Sequence, residues 1–395
     1  MRNLYYLQKV IGKERRQTHF TLLDNISSGG YHVLALIDGA IYSWGRNNRG
    51  QLGVTTLTQS DTPTYIGDRG SLNGKHIVKV CAGFQHSLAI DSEGAIHAWG
   101  DNDGRQLGTG ATSSFTNTPA LVTTSGVLND KHIIDLAGGM YHTVCLDSSG
   151  KCYAWGDNSY GEVGDNSTTL RATPVEVHST GVLSGKNIKK VTSGLSHCVV
   201  LDSNGNIYSW GRSFSGALGN GSTTSSSVPV AVDLGSRVAT CMDTGAHHSL
   251  ICASDGNLMA WGNNDYYQIG LGGTAPQLTP ALVTQLGELS PATVRLVFTG
   301  GFFSGAITAS GRVYSIGHNS LGQLGVGDTD SRAVYTRVEG LIEDLNINYV
   351  SGGYYFTSAI DNNENIYTWG ENIYGQLGND RVPPTESRST VPVAI

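Results

Sequence analysis

One pattern recurs seven times along the 395 residues, so any fold for this chain must set seven similar units side by side. The pattern is plainest in the second copy. It runs through Gly83-Phe84-Gln85-His86, an apolar run, a turn at Ser92-Glu93-Gly94 and a second run ending at Trp99-Gly100. Gln106-Leu107-Gly108 follows. The tryptophan anchor recurs as Trp44, Trp99, Trp155, Trp210, Trp261 and Trp369, with Ile316 in the sixth copy. Successive anchors are 55, 56, 55, 51, 55 and 53 residues apart. That regularity overrides the two or three average domains the length alone would suggest.

Each copy predicts four strands. Residues 87–90 and 95–99 flank the short Gly-containing turn, which is a hairpin signal. A segment precedes the glycine, as at 76–80, 132–136 and 188–191. A fourth run follows Gln-Leu-Gly, at 62–65, 118–122, 173–177, 228–232, 279–283 and 391–395. Four short strands per copy, with no helical periodicity, read as an all-β, seven-bladed β-propeller of four-stranded blades. The first copy lacks a preceding Pro-Val run and the last ends on one. Strands from both termini are therefore expected to complete one blade and close the ring. Residues 1–27 are expected to be an N-terminal segment contributing to that closure, with the propeller at 28–395. Within 1–27, residues 4–10 suit a strand. The basic cluster of Lys9, Lys13, Arg15 and Arg16 around Glu14 suits a solvated turn better than an arm for DNA.

Glycine is abundant, 53 residues against 10 prolines, and its fixed places in the repeat imply tight turns. The net charge of −7 argues against nucleic acid and anionic membrane as partners. No apolar run approaches a membrane span, and the N-terminus lacks the apolar core of a signal peptide, so a soluble, cytoplasmic protein is expected. None of the six cysteines forms a Cys-x-x-Cys pair. They read as buried thiols, with a Cys145–Cys152 hairpin bridge as the alternative. His32, His86, His142, His197 and His248 fall once in each of the first five copies, with Phe303 and Phe356 in their place in the sixth and seventh, too dispersed for a metal site. They read as buried imidazoles bonding backbone within their own blades. The Asn and Asp residues after Trp-Gly read as closing their own turns rather than binding calcium. No catalytic residue, cofactor or metal is assigned.

Gly-x-x-His, Asp-x-x-Gly, Trp-Gly-x-Asn and Gly-Gln-Leu-Gly together resemble the regulator-of-chromosome-condensation repeats, over roughly residues 20–395. The resemblance implies a seven-bladed propeller. It also implies a working face that carries the two variable positions inside Gly-x-x-His. Family members include an exchange factor for the small GTPase Ran, ligase-associated interaction domains, a plant ultraviolet photoreceptor and a bacterial inhibitor of β-lactamase, so the fold does not choose among functions. Here the variable pairs are Gly30 and Tyr31, Phe84 and Gln85, Met140 and Tyr141, Leu195 and Ser196, Ala246 and His247, Gly301 and Phe302, Tyr354 and Tyr355. This ring holds no aspartate and no tryptophan, and only His247 matches the exchange factor's set in kind. The expected function is protein–protein interaction through Tyr31, Phe84, Gln85, Met140, Tyr141, His247, Phe302, Tyr354 and Tyr355, since aromatic residues dominate binding hot spots. The alternatives are guanine-nucleotide exchange on a Ran-type GTPase, and a structural role in a virion or appendage with self-association.

Overall fold

Seven antiparallel sheets of four strands each form the blades of a β-propeller, as the repeat predicts. The computed structural model describes residues 25–37, 39–55, 58–123, 125–380 and 387–395, so the N-terminal basic cluster lies outside the described residues. Blades 1 to 7 cover residues 26–65, 77–121, 133–176, 188–232, 239–282, 294–337 and 347–394. The second and third strands of blade 2, His86–Asp91 and Ile96–Asp101, are buried at every position. A blade packed on both faces has no solvent side, so its middle strands read as continuous apolar runs. The outermost strand, Phe115–Leu121, stays half exposed. The intervening turn is closed by Asp91, whose Oδ1 accepts the N–H groups of Glu93 and Ala95, both at 3.0 Å. Asp147, Asp202 and Asp361 repeat this arrangement. Among the described residues no helix is long and apolar enough to cross a membrane.

The seams between blades carry a shared set of polar contacts. His32 Nε2 meets Ser87 Oγ of the next blade at 2.9 Å, and His86 Nε2 meets Thr143 Oγ1 at 3.0 Å. His142 meets Ser193 and Cys198, and His248 meets Ser304. These histidines therefore bond side chains across the seam, not backbone within their own blades. The imidazole projects beyond its own sheet and reaches the neighbour. The same hydroxyl then donates backwards, Ser87 to the Gln51 carbonyl at 2.7 Å and Thr143 to the Gln106 carbonyl at 2.8 Å. Those two carbonyls also accept the indole N–H of Trp99 and Trp155. Each contact crosses the seam, so two neighbouring sheets are fixed at one depth. The seam between blades 4 and 5 departs from this, with His197 and Ser249 both unpartnered. Burial holds His32 and His86 near pKa 3 and His142 near 4, so the imidazoles stay neutral.

Gly108 shows why Gln-Leu-Gly recurs. Its φ is +65°, and a Cβ there would lie 2.5 Å from the Trp155 indole nitrogen. Blade 6 diverges: Ile316 replaces the tryptophan, and Tyr335 of its outermost strand, Arg332–Arg337, is fully buried in the same cluster. That strand lacks the proline-containing pattern of the other fourth runs, and so it escapes a reading by pattern.

Closure of the ring needs one correction. Every blade consists of four consecutive strands, so the two ends do not share a sheet. Among the described residues the first strand is the innermost of blade 1, Ile26–Ser28, and the last is the outermost of blade 7, Arg388–Ala394. The termini meet by packing instead. Ile26, Val33 and Trp44 share an apolar cluster with Phe356, Ile360 and Leu377, and Val393 and Ile395 pack against it. Phe356 and Val33 stand where other seams place histidine and hydroxyl, so both halves of the polar pair are replaced together. Ser28 N–H reaches Ser351 Oγ at 2.9 Å, and the Trp44 indole donates to the Gln376 carbonyl at 3.0 Å. The possible Cys145–Cys152 bridge is likewise absent. Cys145 pairs with Tyr153 and Cys152 with Leu146, which sends the two thiols to opposite faces of blade 3. They lie in different apolar clusters.

Thr143→Val tests the seam contacts. It leaves His86 Nε2 buried without a partner and should lower unfolding free energy by about 1–3 kcal/mol in urea titration. The same change at partly exposed Thr116 on the outer strand, whose hydroxyl bonds only to Thr118 two residues on, should cost less than Thr143→Val.

Candidate functional site

The Gly-x-x-His turns of blades 1 to 5 and the equivalent Gly-x-x-Phe turns of blades 6 and 7 converge around the axis on one face. A closed circle of backbone hydrogen bonds links them. Gly30 N–H donates to Phe84 O, Phe84 to Gly139 O and Met140 to Leu195 O. Leu195 donates to Ala246 O, Ala246 to Gly301 O, Gly301 to Gly353 O, and Tyr354 back to Gly30 O at 3.4 Å. The first variable position thus rims the axis. The second lies just outside it, and its carbonyl accepts the N–H of the residue after Trp-Gly. Tyr31 binds Arg46 in this way, Gln85 binds Asp101, Tyr141 binds Asp157, and Tyr355 binds Glu371.

Five of the nine sequence-predicted residues form one aromatic cluster over blades 6, 7, 1 and 2. Tyr31 and Phe84 have ring centroids 5.9 Å apart, Phe84 and Tyr354 5.3 Å, Phe302 and Tyr354 5.4 Å, and Tyr354 and Tyr355 4.6 Å. All five are partly exposed, neither sunk into the core nor free in solvent. The other four stand apart. Tyr141, 36% exposed, lies over Gly104 of blade 2, and His247 contacts Phe214 at 4.8 Å. Met140 and Gln85 are half buried.

Reading only Gly-x-x-His misses half of the face. The residue after Trp-Gly and the loop beyond it supply Arg46, Asp101, Asp157, Arg212, His318 and Glu371, with Tyr160, Phe214, Tyr266 and Tyr374. The signal was present: these positions vary from copy to copy just as the Gly-x-x-His pair does. They also amend the expectation of a face without acidic groups. Asp101, Asp157 and Glu371 lie directly beside the first ring. Arg49 holds Asp101 at 3.4 Å and Asp103 at 2.7 Å. The asparagines of these loops close their own turns. Asn102 accepts Leu107 N–H and donates to the Ala111 and Ser113 carbonyls.

The electrostatics follow from partial burial. Desolvation pushes the Tyr31 and Tyr354 hydroxyls up to about 12 and holds His247 down at about 4. Burial raises the Glu371 carboxyl to about 7, opposed by Arg46, and raises Glu162 to about 7. Glu162 stands where five other copies have Gln51, Gln106, Gln268, Gln323 and Gln376. Gln106 donates its Nε2 to Asp101 at 2.7 Å, a bond that an ionised Glu162 cannot give to Asp157. Because the folded pKa of Glu162 is raised, its neutral form contributes stability that is fully present below the unfolded value. That contribution is lost as pH rises through about 7. Glu162→Gln should therefore raise the urea midpoint at pH 8 and change it little at pH 5. A difference that stays constant across this range would contradict the assignment.

The RCC1-like domain model matches residues 8–295, and the regulator of chromosome condensation (RCC1) repeat matches 310–360 and 363–395. The ultraviolet-B receptor UVR8 of Arabidopsis thaliana is 31% identical over 307 residues, covering 77% of this chain and 67% of the receptor. The human E3 ubiquitin-protein ligase HERC2 is 30% identical over 94% of this chain, which spans only 7% of that protein. In fold, the chain is similar to yeast RCC1 (Prp20) bound to Kap60, with a TM-score of 0.78 at 22% identity over 97% of this chain and 89% of that one. A structure of Prp20p from Saccharomyces cerevisiae, characterised for binding to Gsp1p and histones, has a TM-score of 0.72 at 27% identity. It covers 85% of this chain and 81% of Prp20p. With these matches spanning most of the chain and its seven blades, the chain belongs to the regulator-of-chromosome-condensation repeat family.

Proposed function

We propose that this propeller is a protein-interaction module that grips another protein with its Gly-x-x-His face. The observation that carries the reading is the aromatic cluster of Tyr31, Phe84, Phe302, Tyr354 and Tyr355, partly exposed on one side of the disc. Large rigid rings with arginine neighbours are the composition of binding hot spots. The backbone circle beneath them holds the rings in place, so docking costs little side-chain ordering. Relatives support the same class: Prp20 was solved with Kap60, and Prp20p was characterised against Gsp1p and histones. The function proposed is binding, with no bond made or broken by this chain.

Nucleotide exchange on a Ran-type GTPase is the second reading. What favours it is the likeness to Prp20p together with Asp101, Asp157 and His247 on one face. Purified chain added to a Ran-type GTPase loaded with labelled GDP distinguishes the two: accelerated release selects exchange, and an unchanged rate leaves binding alone.

For the main reading, Tyr354→Ala and Phe84→Ala should each weaken the affinity for a purified partner by more than about 1 kcal/mol in titration calorimetry, with the unfolding midpoint retained. Unchanged affinity in both variants would remove this face from consideration.

A further inference from the structure

One arrangement occurs three times on the face. An aromatic side chain from the loop after Trp-Gly of one blade leans on the residue that follows Trp-Gly in the next. At the seam of blades 7 and 1 these are Tyr374 and Arg46, with the guanidinium 4.6 Å from the ring centroid and 5.5 Å from that of Tyr31. At the seam of blades 3 and 4 they are Tyr160 and Arg212, at 4.5 Å, with Phe214 at 5.5 Å. At the seam of blades 5 and 6 the pair is Tyr266 and His318, ring centroids 4.4 Å apart. Here the aromatic walls are most complete. Phe302 is 5.5 Å from Tyr266, and Tyr355 is 5.8 Å from His318 and 6.3 Å from Phe302. Yet among the described residues the cation contacts on aromatic rings belong to Arg46 and Arg212 alone. Arg388, on the outer strand of blade 7, donates instead to the Ser320 carbonyl at 3.3 Å.

We propose that the exposed rim of the ring cluster Tyr266, Phe302, His318 and Tyr355, where His318 stands in place of an arginine, takes an arginine side chain from the partner protein, the group that Arg46 and Arg212 supply from within at the other two seams. The proposal rests on the reading of this face as the contact surface, and it adds the chemistry of what enters. Ring faces attract a cation through their quadrupole, and partial burial limits the competition from water. Tyr266 is 39% exposed, which leaves an entrance, while the other three are half buried. His318 accepts the Gln323 Nε2 proton at Nδ1, 2.9 Å, and burial holds its basicity below the ordinary value. A neutral imidazole offers a π surface and no repelling charge. Glu371 stands beside the cluster, its N–H donating to the Tyr355 carbonyl at 2.9 Å. A planar guanidinium stacks on such rings more readily than a compact ammonium, and it is the group the chain itself uses twice.

The test titrates N-acetyl-arginine amide into the whole chain carrying ring-labelled tyrosine, followed by NMR. The neutral citrulline analogue serves as control. Saturable shifts are expected with the arginine compound and none with citrulline. His318→Arg, which places a guanidinium against Tyr266 from within, and Tyr266→Leu should each raise Kd by about threefold or more. Tyr65→Leu, on the outer rim, should leave Kd unchanged. Absent saturation, equal binding of citrulline, or unchanged Kd in both cluster variants overturns the proposal. If it falls while Tyr354→Ala or Phe84→Ala still weakens the partner, the face stands as the interface and only the arginine site is lost.

Discussion

The seam contact between neighbouring blades is the constraint on which the rest depends. A carbonyl from the Gln-Leu-Gly turn of one blade takes the indole N–H of the next, and in several seams a hydroxyl that also meets a histidine. An isolated four-stranded sheet cannot bury both of its faces. Seven sheets in a ring can, and these bonds set the depth at which each meets its neighbour. Because the contacts are side chain to backbone across a dry seam, an unmade one leaves a buried polar atom without water. The closing seam replaces both partners, Phe356 for the histidine and Val33 for the hydroxyl opposite, whereas at the seam of blades 6 and 7 only the histidine is replaced, by Phe303, and Thr357 keeps its bond to the Gln323 carbonyl.

With the sheets held at one depth, the face follows. The turns after each inner strand arrive at the same height, so their backbones join in a closed circle. Variable side chains can then be exchanged without loss of the scaffold, because the bonds beneath them are main chain. In this chain the exchange has gone towards tyrosine and phenylalanine on blades 6, 7, 1 and 2, with arginine stacked on aromatic rings at two seams. The carboxylates that surround them are costly to ionise where buried, as at Glu162 and Glu371, which ties the charge of the face to pH near neutrality.

Blade number, strand order and the candidate ring were legible because each depends on short-range pattern. A Gly-bounded turn between apolar runs specifies a hairpin wherever it occurs, and Asp91 closes it with its own neighbours. His32 and its equivalents were legible as buried but not as cross-seam donors or acceptors, since their partners lie about one repeat away. Blade 6 hid its outer strand because Tyr335 and Ile316 trade the usual tryptophan for a different packing. In the loops after Trp-Gly the sequence shows turn chemistry. The asparagines do serve the turns, while their neighbours Tyr266 and Tyr374 serve the face.

The amino-acid sequence alone determined that seven alike sheets stack, which residues recur as buried anchors and which positions vary, because those properties repeat at fixed local spacing. Only the tertiary structure decided what each variable residue touches. Tyr374 meets Tyr31 because the ring closes, bringing together side chains from opposite ends of the chain. It also decided that among the described residues blades 7 and 1 meet through apolar packing and a few hydrogen bonds in place of a shared sheet, since each blade is built from four consecutive strands.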